Sequence, residues 1–322
     1  MKKQNHTDYT LSALQLFEEW KGIKIAHDDI KNLLGQSSAD EDSITLGSKL
    51  QRPFNWHFYN NGGLIKDNPL IPGHRTSEKR IGKLIEKIDE ALAKFKKQPK
   101  RKYAKRLLNV SGRFAHHIQD MSTPSHVVPV YHGPGLKDEY ENFGAEYAGK
   151  VVTIFSADKS NSILDNRLAI SVTVNDINGH NEAIVGTSEH ILHNLHMSSA
   201  KQTLAHLRDN KFNLHVNGKK TILGWPQFWR EKTSQFPKCK DKNHGGFEKH
   251  QGFGTFGTLC NNFGRPFFEI DGTFYEIDHR EYFHLYKHLF KKAVLDTLKV
   301  IDYLHKNSTI FSVNTPLIKK NM

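Results

Sequence analysis

The chain is poor in the features that would place it in several large classes. It has two cysteines, Cys239 and Cys260, in 322 residues, too few for the disulfide framework that staples small secreted folds. One pair is compatible with a disulfide or with two thiols, so cysteine does not decide the compartment. No stretch approaches the roughly 20 consecutive apolar residues that span a bilayer. The opening "MKK" runs into polar "QNHTDYT" where a signal peptide needs an apolar run, so export is expected either by another route or from an already mature chain. Repeats and low-complexity tracts are also missing. Acidic charge is short: 34 Asp and Glu face 46 Lys and Arg, a formal charge of +12. That balance favours a polyanionic partner, either nucleic acid or an anionic membrane surface. The densest basic piece, "KFKKQPKRKYAKR" from Lys94 to Arg106, reads as a solvated helix end around Pro99 or as a phosphate-attracting patch.

What the chain does have is 37% hydrophobic residues, enough for a sizeable core, and 20 histidines, the commonest ligands of zinc and related metals. Apolar residues at Leu11, Leu14, Phe17 and Trp20 predict a helix over Tyr9 to Trp20, with His6 just before it. Ile81, Leu84, Ile85, Ile88, Leu92 and Phe95 predict a second from Glu78 to about Lys97, ended by Pro99. A third is expected from Arg101 through Phe114, and a fourth from Asp138 through Tyr147. Beyond Val151, "VNDINGHNEAIV", "LHVNGKKTIL" and "FFEIDGTFYEI" put Asn-Gly or Asp-Gly between β-prone runs and predict hairpins. A helix over Thr187 to Asp209 and a long closing helix over 279–306, packed on the first-half bundle, complete the expectation. The fold class is therefore mainly α: one domain over 1–322, with a helical half (1–150) and a half carrying β-hairpin excursions (151–322).

The chemistry concentrates in "HHIQDMSTPSHVV". His116 and Asp120 are four apart, so a helix stacks them on one face where they can grip one ion. The helix should fail near Ser122 to Pro124, because proline disfavours helical geometry in the residue before it. His126 then lies just past the end, where a turn returns it to the same pocket. Elsewhere "NWHFYNNGG" offers His57, "ADEDSI" offers Asp42, and "GLKDEYENFG" offers Asp138 and Glu141. Histidine and carboxylate together suit zinc in roughly tetrahedral sites.

An N-terminal histidine at the head of a helix, an Asp followed by "HFY", His-x3-Asp-x5-His and a final "YENF" occur here in order. In this the first 150 or so residues resemble the superfamily of zinc-dependent phospholipases C and S1/P1 nucleases, tri-zinc phosphodiesterases. "HFYN" and "YENF" look more like its bacterial metallophospholipase C branch. The resemblance implies a multi-helix phospholipase C/P1 nuclease-like domain and three Zn2+. Asp42, His57, His116 and Asp120 would hold one ion, and His126 with Glu141 a second. His6, Asp120 and the backbone of Met1 would hold the third. Two departures stand out. Met1 occupies the place of the usual leading tryptophan, and Lys137, which has no lone pair for a metal, stands where a histidine ligand is usual. His132 is the favoured substitute and Asp138 the runner-up.

By the same resemblance the ions activate water and offset charge building on the phosphoryl oxygens, and Asp42 assists as general base. The implied protein is a secreted or translocated bacterial hydrolase of lipid degradation and virulence. Its substrate would be a glycerophospholipid in a membrane surface, with diacylglycerol and a phosphorylated head group as products. A single-strand nuclease and a non-catalytic zinc- or lipid-binding relative are the alternatives. For lipid, Gly252 to Phe268 would dip into the interface or pack as a β-ribbon. For nucleic acid, Trp56 and Tyr59 would stack bases or else pack the metal pocket.

Overall fold

The computed structural model describes residues 3–25, 28–41, 57–59, 77–127, 140, 153–154, 170–180, 190–216, 219–224, 267–270, 273–276 and 279–312. Most of them are helical. In chain order the elements are α1 (Lys3–Lys21), α2 (Asp28–Asp40), α3 (Ser77–Lys97), α4 (Arg101–Asp120), the single turn α5 (Pro124–Val127), β1 (Thr153–Ile154), β2 (Ile170–Ser171), α6 (Val174–Gly179), α7 (Ile191–Asp209), β3 (Lys211–Val216), β4 (Lys219–Gly224), β5 (Phe267–Ile270), β6 (Thr273–Glu276) and α8 (His279–Asn307).

Helix α4 is the axis on which the site is built. Its Ala104, Leu107, Leu108, Ser111, Phe114, Ala115 and Ile118 are buried, and its last turn is buried all round. The predicted stripe of α3 packs along one side of α4, α2 along another, and α7 and α8 close the remainder. A helix covered on every side can bury polar residues wherever neighbours supply partners, and so carry a site in its interior. Helix α2 approaches α4 closely at Gly112, where an added Cβ would stand 2.6 Å from the Leu34 carbonyl oxygen and 2.7 Å from Ser37 Cβ. Helix α8 packs against α1 and α4, so the closing helix does lie on the first-half bundle.

Four expectations need correction. Helix α1 begins at Lys3, so His6 lies inside it. Its buried face is Tyr9, Ala13, Leu14, Leu16 and Phe17, whereas Leu11 is 38% exposed. A strict three-residue interval drifts about 60° per step around a helix of 3.6 residues per turn, so Leu11 and Trp20 cannot share one face. The chain leaves α1 through Gly22, whose φ of +62° allows Ile23 N–H to reach the Glu18 carbonyl at 3.1 Å, a Schellman ending. Helix α2 was not foreseen, because its apolar residues are few and two serines sit in its buried face. "VNDING" is the helical turn α6, since Thr173 and Asp176 form a capping box at its start. The other two Asn-Gly and Asp-Gly sites do join antiparallel pairs, β3 with β4 and β5 with β6. The basic run is solvated in part by its own acids, with Glu90 taking Lys94 and Arg106. The expected fourth helix, apart from helical Tyr140, lies outside the described residues, as do Trp56, Cys239, Cys260 and 252–266.

Candidate metal centre

Three other segments converge on the end of α4. His116, His117, Gln119 and Asp120 come from its last turn, His6 from α1, His126 from α5, and His57 from the stretch 57–59. That stretch is pinned by two backbone bonds, Tyr59 N–H to the His126 carbonyl (2.9 Å) and Ser77 N–H to the Phe58 carbonyl (3.0 Å). Helix α4 gives out at Met121, and Thr123 N–H returns to the Asp120 carbonyl at 2.9 Å. This tight bend lets α5 swing His126 back over Asp120, as the sequence predicts.

Asp120 is the centre, fully buried. Its Oδ2 lies 2.8 Å from His57 Nδ1 and 3.2 Å from His116 Nε2, and those two nitrogens are 3.2 Å apart. A tetrahedral zinc with bonds of about 2.0–2.1 Å sets its donor atoms about 3.3 Å apart, close to this triangle. The other oxygen, Oδ1, accepts no hydrogen bond among the described residues and faces His126 Nδ1 at 3.3 Å and His6 Nε2 at 3.7 Å. One carboxylate thus addresses two pairs of imidazoles through its two oxygens.

The imidazoles are oriented from behind. His116 donates its Nδ1 hydrogen to the Ser38 carbonyl (2.9 Å), and His6 donates its own to Gln119 Oε1 (2.7 Å). Gln119 is itself fixed: its amide donates to Thr10 and Thr297 hydroxyls, and its oxygen also accepts from Ser38. A neutral histidine with Nδ1–H so engaged carries its lone pair on Nε2. In both residues that lone pair points at an anionic oxygen, an arrangement that favours a cation between them. Burial opposes ionisation of Asp120; in the metal-free chain His126 and His116, where protonated, hold its carboxyl well below the ordinary range, a role that a bound cation would take over. Among the described residues its ion-pair partners are imidazoles alone.

The donor set therefore fits a divalent metal, and two groups of three have donor atoms close enough to share an ion: His6, His116 and Asp120, and His57, His117 and Asp120. Of the ligands named from the sequence, the structure brings together His6, His57, His116, Asp120 and His126. Met1, Asp42, His132, Asp138 and Glu141 lie outside the described residues. Tyr59, 7% exposed and edge-on to His196, packs the pocket wall rather than offering a stacking face. His57 is the most open of the cluster at 15% exposure, so solvent reaches the cluster from its side.

Sequence reasoning missed the supports: Ser38, Gln119, Glu41 and His117. Gln119 was visible only as a polar residue beside a ligand, and Ser38 orients His116 through its backbone carbonyl, which no side-chain pattern reports. The signal for His117 was the His116–His117 doublet itself, one member four and the other three before Asp120.

Compared with known proteins, the chain matches no family model, no curated protein and no solved structure.

Proposed function

We propose that the chain is a zinc-dependent phosphodiesterase of the phospholipase C type, acting on the head-group phosphodiester of a phosphatidylcholine-like lipid. The observation that carries the reading is Asp120, a buried carboxylate with His57 and His116 at one oxygen and His6 and His126 at the other. Zinc at such a site supplies a nucleophilic water near neutral pH and positive charge for the phosphoryl oxygens. The protein's part is positional. Ser38 and Gln119 accept from Nδ1 of His116 and His6 and so turn Nε2 of each ring inward, and the rigid end of α4 keeps Asp120 between the two imidazole pairs. The Phe58–Tyr59 stretch holds His57 at the open side, where an anionic phosphodiester would enter. The +12 charge suits a membrane surface or a nucleic acid alike and does not discriminate between them. Asp42, which follows buried Glu41 in the chain, is the carboxylate we assign as general base.

Release of phosphorylated head group from phosphatidylcholine vesicles by zinc-loaded protein tests this, with His116→Ala as control. Release that the control lacks supports the reading. Zinc-replete protein that releases none, yet cleaves single-stranded DNA or RNA, would transfer the same metal centre to a nuclease. Zinc binding without either activity would leave a non-catalytic relative.

A further inference from the structure

His117 is placed by its fold for a role the resemblance does not give it. It is fully buried, and its ring lies nearly parallel to that of His57 with centroids 5.2 Å apart. On one side its Nε2 is 3.4 Å from Glu41 Oε1. That carboxylate is fully buried and clasped by two guanidinium groups, Arg80 from α3, with Nε at 2.8 Å, and Arg113 from α4. Two cations already face Glu41, so its charge is balanced without a protonated imidazole. A carboxylate oxygen can only accept, so the ring carries its hydrogen on Nε2, toward Glu41.

On the other side Nδ1 carries the lone pair, is buried, and has no hydrogen-bond partner among the described residues. A buried acceptor left without a donor is costly. Its ring supplies a donor atom within 4.8 Å of donor atoms of His57 and Asp120. A carboxylate behind an imidazole whose far nitrogen faces a metal is the usual way proteins fix the tautomer and raise the basicity of a histidine ligand.

Resting on the zinc reading above, we propose that His117, braced by Glu41, is itself a metal ligand: its Nδ1 binds the divalent ion shared with His57 and Asp120. The adjacent histidines then divide the work. His116 backs onto the Ser38 carbonyl of α2 and His117 onto the Glu41 carboxylate just beyond it, so the end of α2 orients both.

The test uses the full chain and two measurements. In wild-type protein loaded with ¹¹³Cd²⁺, the His117 Nδ1 resonance should show coupling to the metal, which needs no variant. In His117→Gln the amide can still donate to Glu41 but offers no lone pair at the Nδ1 position. The zinc affinity of that site should fall by more than the roughly 10–100-fold expected for Glu41→Gln, which only weakens the bracing. The visible spectrum of the cobalt-substituted protein should change with it. A wild type that binds metal with no coupling at His117 Nδ1, or a folded His117→Gln with unaltered zinc affinity and cobalt spectrum, overturns this proposal alone. A wild type that takes up no divalent ion overturns the zinc reading as well.

Discussion

Two carboxylates in this molecule are almost completely buried on a helix face among histidines, and they are served in opposite ways. Asp296, on α8, has a cation built in. Lys292 one turn earlier lies 2.6 Å away, Ser199 of α7 donates at 2.7 Å, and His180 Nε2 stands at 2.8 Å. Burial resists ionisation there, and Lys292 and His180 overcome it, holding Asp296 well below the ordinary range. Every direction is satisfied, and the group ties α7 and α8 together. Asp120 is as deeply buried, but among the described residues it meets only imidazoles, two of which point lone pairs at it, and one of its oxygens accepts no hydrogen bond from them. A closed ion pair is a structural joint; a buried carboxylate ringed by imidazole nitrogens is a group that could hold a metal ion.

Breaking the comparison at Asp120 should have the largest effect. Asp120→Asn removes the one ligand both pairs share, so zinc binding and phosphodiesterase activity should fall together, activity by about a thousand-fold or more. Asp296→Ala should do the reverse. It strands Lys292 in the interior and should cost about 3–5 kcal/mol in urea denaturation, with zinc content unchanged in the fraction that folds.

Gly112→Ala probes how α2 supports the site. The added methyl would strike the Leu34 carbonyl and Ser37, forcing α2 off α4 and loosening the Ser38 carbonyl that orients His116. A loss of about 1–3 kcal/mol is expected, with weaker zinc binding in equilibrium titration. If affinity is untouched while stability falls, the end of α2 does not position the ligand.

The smallest effect lies at the surface. His206 and His288 stack at 3.7 Å, and burial with their mutual charge lowers His206 to about 4; His288 is lowered too, chiefly by burial. Their folded pKa values lie below the ordinary 6.5, so the unfolded chain binds more protons between about pH 6.5 and 4. The stability they contribute is complete above about pH 6.5 and is lost as pH falls toward 4. Unfolding midpoints of His206→Gln across that window should show a shallower slope than wild type.

The site's core was legible because its pattern is local. His116, Asp120 and the break before His126 are a helix and its ending, written within eleven residues. His6 and His57 came from resemblance, and the structure sets them beside Asp120. What could not be read was anything held by backbone or by distant helices. Ser38 acts through a carbonyl, and Glu41 matters only because Arg80 and Arg113 reach it from two other helices. Period errors account for the rest: a three-residue interval put Leu11 on the wrong face of α1, and an Asn-Gly pair concealed the capping box that makes Val174–Gly179 helical. The two hairpins that did form have β-prone runs on both sides and no competing cap.

The most direct test of the central claim is the zinc content of the purified chain after dialysis against metal-free buffer, compared between wild type and Asp120→Asn. The account predicts about two to three tightly held ions per wild-type chain and the loss of most of them in the variant. A wild type that retains none, or a variant that retains them all, would contradict it.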